Sequence, residues 1–98
     1  MVYMILNFDR TDAGDLRARH RIDHLRYVDD FTHQILASGA LTEDDDVPFA
    51  GFILLDVNER SEAVLFSNMD PLSQAGLFER VIIAKWKRGI FNFERVRQ

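Results

Sequence analysis

Three short apolar segments constrain the fold of this 98-residue chain more than any other feature. They occupy residues 2–8, 51–57 and 81–86, and each is rich in aliphatic and β-branched residues. Apolar runs of this length are typical of buried β-strands and are too short to cross a bilayer. Each run is apolar at both alternating sets of positions, so we expect both faces of the resulting sheet to be covered.

The first helix is predicted between the first two of these strands. Residues 15–37 contain neither Gly nor Pro, acids at Asp12 and Asp15 suit a helix N-terminus, and Ser38-Gly39 supplies a stop. At 100° per residue, one stripe of the helix would carry Ile22, Leu25, Val28, Ile35 and Leu36. The pattern therefore predicts an amphipathic helix with one buried face.

A second helix is predicted to begin at Asn58 or Glu59 and to run to about Met69. Asp70-Pro71 ends it, because proline disfavours a helical conformation at the residue before it. A short strand at residues 40–42 and an exposed acidic turn at 43–48 precede the strand at 51–57.

The predicted order is β-α-β-β-α-β, the ferredoxin-like arrangement of an α+β fold. Its length fits a single domain over residues 1–98, with 89–98 as a basic C-terminal tail. In this fold both helices cover one face of the sheet, which would leave the other face apolar and bare. A large apolar surface usually marks an interface, so we expect a homodimer whose sheets pack face to face.

Composition excludes several classes of function. The net charge of −4 opposes binding to a polyphosphate, so no nucleic-acid partner is expected. The chain has no cysteine, which rules out disulfides, thiolate nucleophiles and Cys-ligated zinc. Its first residues lack the basic start of a signal peptide, and the apolar runs are too short for a membrane span. We therefore expect a cytoplasmic protein without a membrane partner.

Two polar residues stand out on the first predicted helix. Arg21 falls near the centre of the predicted stripe and His24 near its edge. A charge in that position is costly unless an anion pairs with it. The structural interpretation is that Arg21 extends to solvent or pairs with a local acid while His24 covers the core edge, and spacing alone favours it. The functional interpretation is a ligand pocket around His24.

His20 and His24 lie one helical turn apart and could bind one metal ion. No further ligand has the required spacing, so a solvated helix face is the better explanation of His20. The prediction is for no metal and no cofactor.

A set of short motifs resembles the YciI-like family of the dimeric α/β-barrel superfamily. They are Arg21-Ile22-Asp23-His24-Leu25, Gly39, Gly51, Asp70-Pro71, Ala75-Gly76-Leu77-Phe78 and Trp86. The resemblance extends from Val2 to about Phe91. Ile22 and Ala40 stand where the family pattern has proline, and Leu72 where it often has an aromatic residue.

The resemblance implies a ferredoxin-like protomer that dimerises, with His24 and Asp70 as the active centre. The clearest activity in that family is removal of chloride from a chlorinated hydroxyquinol. Related proteins act by proton transfer on oxygenated aromatic or lactone substrates. This agrees with residue chemistry, because a histidine can exchange a proton near neutral pH and an aspartate can orient its ring.

The leading hypothesis is a cofactor-independent lyase or isomerase acting on a small anionic substrate, aromatic or lactone-like. His24 and Asp70 are its predicted catalytic pair, and Arg21 would hold a substrate carboxylate or phenolate. The alternative is a non-catalytic ligand-binding or assembly module, and metal binding through His20 and His24 ranks below both. An enzyme requires His24 and Asp70 within hydrogen-bond reach at the wall of an open cavity.

Overall fold

The structure, a computed structural model, describes residues 1–97. Four strands form an antiparallel sheet in the order β2-β3-β1-β4, and a two-stranded hairpin follows near the C-terminus. The elements in chain order are β1 Val2–Asp9, α1 Leu16–Arg19, α2 Arg21–Asp29, β2 Ile35–Thr42, β3 Pro48–Asp56, α3 Arg60–Met69, α4 Pro71–Gln74, β4 Phe78–Lys85, β5 Ile90–Phe91 and β6 Glu94–Arg95. This α+β arrangement confirms the predicted ferredoxin-like order.

The hydrophobic core lies between the sheet and the helices. Ile5 of the central strand β1 pairs with Ile53 on one side and Ile83 on the other. Ile5 and Ile53 belong to a buried cluster with Ala63 and Phe66 of α3, and Ile83 packs against its edge. The apolar strands therefore carry the core as their composition predicted.

Over the opposite face of the sheet, residues 1–97 place no helix. Strand residues alternate between faces, so Met4 and Leu6 point away from Ile5. Leu6 is paired with Phe52 on β3 and with Ile82 on β4. Each of these apolar residues is only partly buried.

The prediction of one long helix over residues 15–37 is wrong. A break at His20 separates α1 from α2, which ends at Asp29, and turns occupy residues 30–34. Ser38-Gly39, predicted to stop the helix, lies inside strand β2 opposite Ile53 and Phe52. Hydrogen bonds to the edge of β3 satisfy the backbone N–H and C=O groups of this segment. This pairing outweighs the helical spacing of its apolar residues, and β-branched Ile35 also favours a strand.

The early end of α2 also changes which helix face is buried. Ile22 and Leu25 of the predicted stripe are exposed. The inward face keeps Val28 of that stripe and also carries His24, Tyr27 and, just beyond the helix, Phe31, all partly buried. These positions have the i, i+3, i+4, i+7 spacing of one helix face.

The second predicted helix is confirmed as α3. Glu59 and Glu62 form a capping box at its N-terminus, in which each side chain accepts from the other residue's backbone N–H. The helix ends at Met69, directly before Asp70-Pro71. The short strand predicted at 40–42 is the end of a longer one, β2, and the last sheet strand starts three residues before its predicted position.

The tail forms the hairpin of β5 and β6. Its turn residues Asn92 and Phe93 both have positive φ, as a two-residue hairpin turn requires. Trp86 contacts Phe91 edge to face, which holds the hairpin against the end of β4. Through residue 97, no helix combines the length and apolar character needed to span a membrane.

Candidate active site

A cavity of about 660 Å³ is lined by α1, α2 and strands of the sheet. Its polar lining residues include Asn7, Asp9, Arg17, Arg21 and His24. The remaining wall is largely apolar and includes residues from the β2 and β3 edge of the sheet. A mostly apolar cavity with a few convergent polar groups has the general character of a small-molecule site.

His24 meets Asp70 at this wall. The imidazole Nδ1 lies 2.9 Å from each oxygen of the Asp70 carboxylate. The His24 side chain is 22% exposed and that of Asp70 is 3% exposed. An ionised carboxylate only accepts hydrogen bonds, so Nδ1 carries the proton. In the neutral ring, Nε2 is therefore the nitrogen with the free lone pair.

Local structure explains why Asp70 reaches the ring. Asp70 has an extended conformation, as a residue before proline prefers, and it caps the N-terminus of α4. Its Oδ1 accepts the backbone N–H of Leu72 at 2.9 Å. The Asp70 carboxylate thus contacts both the N-terminus of α4 and the His24 ring, and these two contacts together fix the orientation of the carboxylate.

Tyr27 fixes the helix that carries His24. Its hydroxyl donates to the backbone carbonyl of Phe66 on α3 at 2.9 Å. Its ring lies 5.1 Å from Phe31 and 5.2 Å from Phe66 between centroids. Burial, and secondarily the negative charge of Asp70, raise the pKa of Tyr27 above its ordinary value of 10.0. The phenol is consequently neutral and serves as a hydrogen-bond donor near neutral pH.

Arg21 does not occupy the position predicted from the helical stripe. It is the first residue of α2, it is exposed, and it lines the cavity. The correction follows from the shorter helix, since Ile35 and Leu36, which helped define the stripe, belong to β2. Arg21 therefore does not carry a buried charge.

Sequence reasoning missed three polar residues of the cavity. Arg17 donates from Nε and Nη2 to the two carboxylate oxygens of Asp9, each at 2.7 Å. Asn7, only 4% exposed, precedes Asp9 on the cavity side of β1. A usable signal was present, because the alternate positions of β1 change from apolar Tyr3 and Ile5 to polar Asn7 and Asp9.

His20 and His24 are the two residues whose spacing in the sequence suits one metal ion. Within residues 1–97, no group of three or more His, Asp or Glu side chains is arranged to hold a metal ion. His20 lies at the break between α1 and α2, whereas the Nδ1 of His24 is engaged by Asp70.

The sheet order, the helices on one face and the cavity between them define a small ferredoxin-like α+β domain. The chain belongs to the family of YCII-related domains, whose model matches residues 1–87. This confirms the family resemblance drawn from the sequence motifs. No curated protein matches the chain.

Two solved structures share the fold. One is 5-chloro-2-hydroxyhydroquinone dehydrochlorinase (TftG) from Burkholderia phenoliruptrix AC1100, in complex with 2,5-dihydroxybenzoquinone. It is 26% identical, with a TM-score of 0.83 over 91% of this chain and 96% of that one. The other, an antibiotic biosynthesis monooxygenase, is 11% identical with a TM-score of 0.52 over 90% of this chain and all of that one. The second similarity concerns the fold alone.

Proposed function

We propose that this protein is a small cofactor-independent enzyme of the lyase or isomerase type. The observation that carries the proposal is the contact of His24 with Asp70 at the wall of a cavity large enough for a small ring. The similarity to a dehydrochlorinase over nearly the full length of both chains supports it. The cysteine-free composition of this protein is compatible with action in the reducing cytoplasm.

In the proposed reaction, Nε2 of His24 removes a proton from a hydroxyl or an acidic carbon of the substrate. The electron pair of the broken bond forms a new π bond while a leaving group departs with its own electron pair. In an isomerisation, the imidazolium instead returns the proton to another atom. Asp70 keeps the proton on Nδ1 and stabilises the transient positive charge of the ring.

Arg21 has a different proposed role, that of binding an anionic group of the substrate. Its exposed position at the cavity suits attraction of a carboxylate or phenolate from solvent. Aromatic and lactone-like acids are the substrate class that fits these groups. The complex of TftG with 2,5-dihydroxybenzoquinone supports the aromatic branch of that class.

The experiment is a screen of chlorinated hydroquinones and lactone acids, followed by chloride release and ultraviolet absorbance. We expect His24→Ala to abolish turnover and Asp70→Asn to lower it by about 10²- to 10⁴-fold, the usual range for general acid and base groups. His33→Ala is the matched control, because His33 is exposed and outside the cavity lining. Binding of a panel member without turnover, unchanged by His24→Ala, would favour the non-catalytic module.

We also propose that the working form is a homodimer joined through the helix-free face of the sheet. The partly exposed Met4, Leu6, Phe52 and Ile82 share that face by strand alternation and register. A second copy would cover them with an identical apolar surface, as a two-fold interface requires. Sedimentation at micromolar concentration should give twice the chain mass.

A further inference from the structure

Two hydrogen-bond donors of the cavity have no part in the proposed reaction. They are the guanidinium of Arg17, which extends from α1, and the side-chain amide of Asn7 on β1. Both residues share the cavity wall with His24. A ligand that contacts His24 could therefore present a second atom to these two donors.

The guanidinium of Arg17 is held in place but is not saturated. Its Nε–H and one N–H of Nη2 bind the two carboxylate oxygens of Asp9, each at 2.7 Å. A guanidinium has five N–H donors, so three remain, and within residues 1–97 no other acceptor takes them. The negative charge of Asp9 would repel a second carboxylate, so the pair is better suited to a neutral oxygen.

The amide of Asn7 supplies the second donor. Asn7 is only 4% exposed, its Oδ1 is enclosed, and Nδ2 is the amide atom that lies beside Gly51. Among residues 1–97 this nitrogen also has no hydrogen-bond acceptor. A nearly buried donor without an acceptor is destabilising, and a ligand oxygen would satisfy it.

Gly51 keeps open the space that the two donors border. It lies opposite Asn7 in the register of β1 and β3 and also lines the cavity. A Cβ built on Gly51 would be 3.8 Å from Nη2 of Arg17 and 3.9 Å from Nδ2 of Asn7. Apart from the chain neighbours of Gly51, no other residue among 1–97 comes within 4 Å of that point. Both nitrogens therefore face one open space.

We propose that Nη2 of Arg17 and Nδ2 of Asn7 form a subsite for a neutral carbonyl oxygen of the ligand, with Asp9 as the positioning residue of Arg17. A carbonyl oxygen has two lone pairs and no proton, so it can accept from both nitrogens. A hydroxyl group would bring a proton that neither nitrogen can accept, and a carboxylate would be repelled by Asp9.

This subsite rests on the proposed function and narrows its substrate class to a small ring that carries a carbonyl group. A carbonyl acidifies C–H bonds next to it or conjugated with it, because its oxygen takes up the negative charge when the proton leaves. As Nε2 of His24 takes that proton, the C–H electron pair forms a new C=C bond and the carbonyl π pair moves to oxygen. Hydrogen bonds from Arg17 and Asn7 strengthen as this charge develops.

Two neutral ring probes test the subsite: tetrahydropyran-4-one and tetrahydropyran, which differ by one carbonyl oxygen. Each is titrated into the ¹⁵N-labelled protein and followed by NMR. We expect the ketone to bind about tenfold more tightly, the low end of the range for a hydrogen bond to a charged donor. The side-chain N–H signals of Asn7 should move with the ketone and stay in place with tetrahydropyran.

Two substitutions remove different parts of the subsite. Asn7→Leu has a similar shape without the donor and should lower the preference for the ketone by about threefold, since Arg17 remains. Gly51→Val should abolish the preference, because its methyl groups enter the space beside both nitrogens, and valine is well tolerated in a strand. Asn58→Leu, an exposed change outside the cavity lining, is the control and should keep the full preference. Thermal unfolding shows whether each variant is folded.

The subsite proposal is overturned if the wild type binds both probes equally, or if the full preference survives in a folded Asn7→Leu or Gly51→Val protein. The fate of the proposed reaction is a separate outcome. Turnover that depends on His24, without any preference for the ketone, would retain the reaction and remove the subsite. A preference for the ketone without turnover of any substrate in the screen would retain the subsite and remove the reaction.

Discussion

The two faces of the sheet have similar apolar side chains and very different surroundings. On the helix side, Ile5 is 0% exposed and Leu55 is 1% exposed, because α3 packs over them. On the other side, Leu6 and Phe52 are equally apolar but only partly buried. The comparison teaches that strand composition specifies which surfaces need cover, whereas the helices of residues 1–97 supply that cover on one side of the sheet.

The largest effect is expected on the helix face. Ile53→Asp would bury an unpaired carboxylate among Ile5, Leu55 and Phe66, at a cost of several kcal/mol. We expect loss of cooperative unfolding in circular dichroism. Ile83→Asp should act in the same direction but less strongly, because Ile83 is partly buried at the edge of the cluster. A folded Ile53→Asp protein would refute this account of the core.

A charge on the helix-free face should have a different consequence. Ile82→Asp leaves the helix-side core intact, so we expect a folded protomer that no longer dimerises. Sedimentation and circular dichroism together separate this result from unfolding. A wild-type protein that is monomeric at micromolar concentration and fully folded would contradict the proposed interface.

A smaller change is expected from Asp70→Asn. The amide oxygen can still cap α4, but the charge-assisted bond to His24 is lost. The free energy of unfolding should therefore fall by about 1–2 kcal/mol. Urea unfolding measures the difference, and Asp29→Asn, at an exposed position of α2, is the control. An effect as small as that of the control would indicate that the His24 contact adds little to stability.

The smallest effect concerns pH. The pKa of Tyr27 is raised in the folded protein, so the neutral phenol is the form that folding favours. Its contribution to stability is present below the unfolded value of 10.0 and is lost as pH rises through the higher folded value. Urea midpoints measured upward from pH 10.0 should therefore fall more steeply for the wild type than for Tyr27→Phe. Equal slopes of urea midpoint against pH for the two proteins would exclude this coupling between Tyr27 ionisation and stability.

The strands and the second helix were predictable because their signals are local. Apolar runs and the Asp70-Pro71 boundary need no knowledge of distant residues. The end of α2 was not predictable in the same way, since β2 is stabilised by pairing with β3 rather than by its own propensity. The prediction that Ile35 and Leu36 belong to the helix therefore placed Arg21 on a buried face, whereas it is exposed.

How far the candidate site could be predicted depends on the same distinction between local and distant contacts. His24 stood out on the predicted helix, but its pairing with Asp70 came through family resemblance, because residues 46 positions apart give no local sign of contact. Arg17 and Asp9 were missed, although they are only 8 positions apart in sequence. Their contact depends on how α1 lies relative to the end of β1. Alternation within β1 could have identified Asn7 and Asp9 as polar residues on the core side.

The double attachment of Asp70 restricts which amino acids evolution could place there. Serine, threonine or asparagine can cap α4 but carries no charge to oppose an imidazolium, and glutamate carries the charge on a longer side chain that caps helices less well. Only aspartate meets both demands with one short group. A saturation library at position 70, selected once for folding and once for activity, should therefore accept several residues in the first selection and aspartate alone in the second.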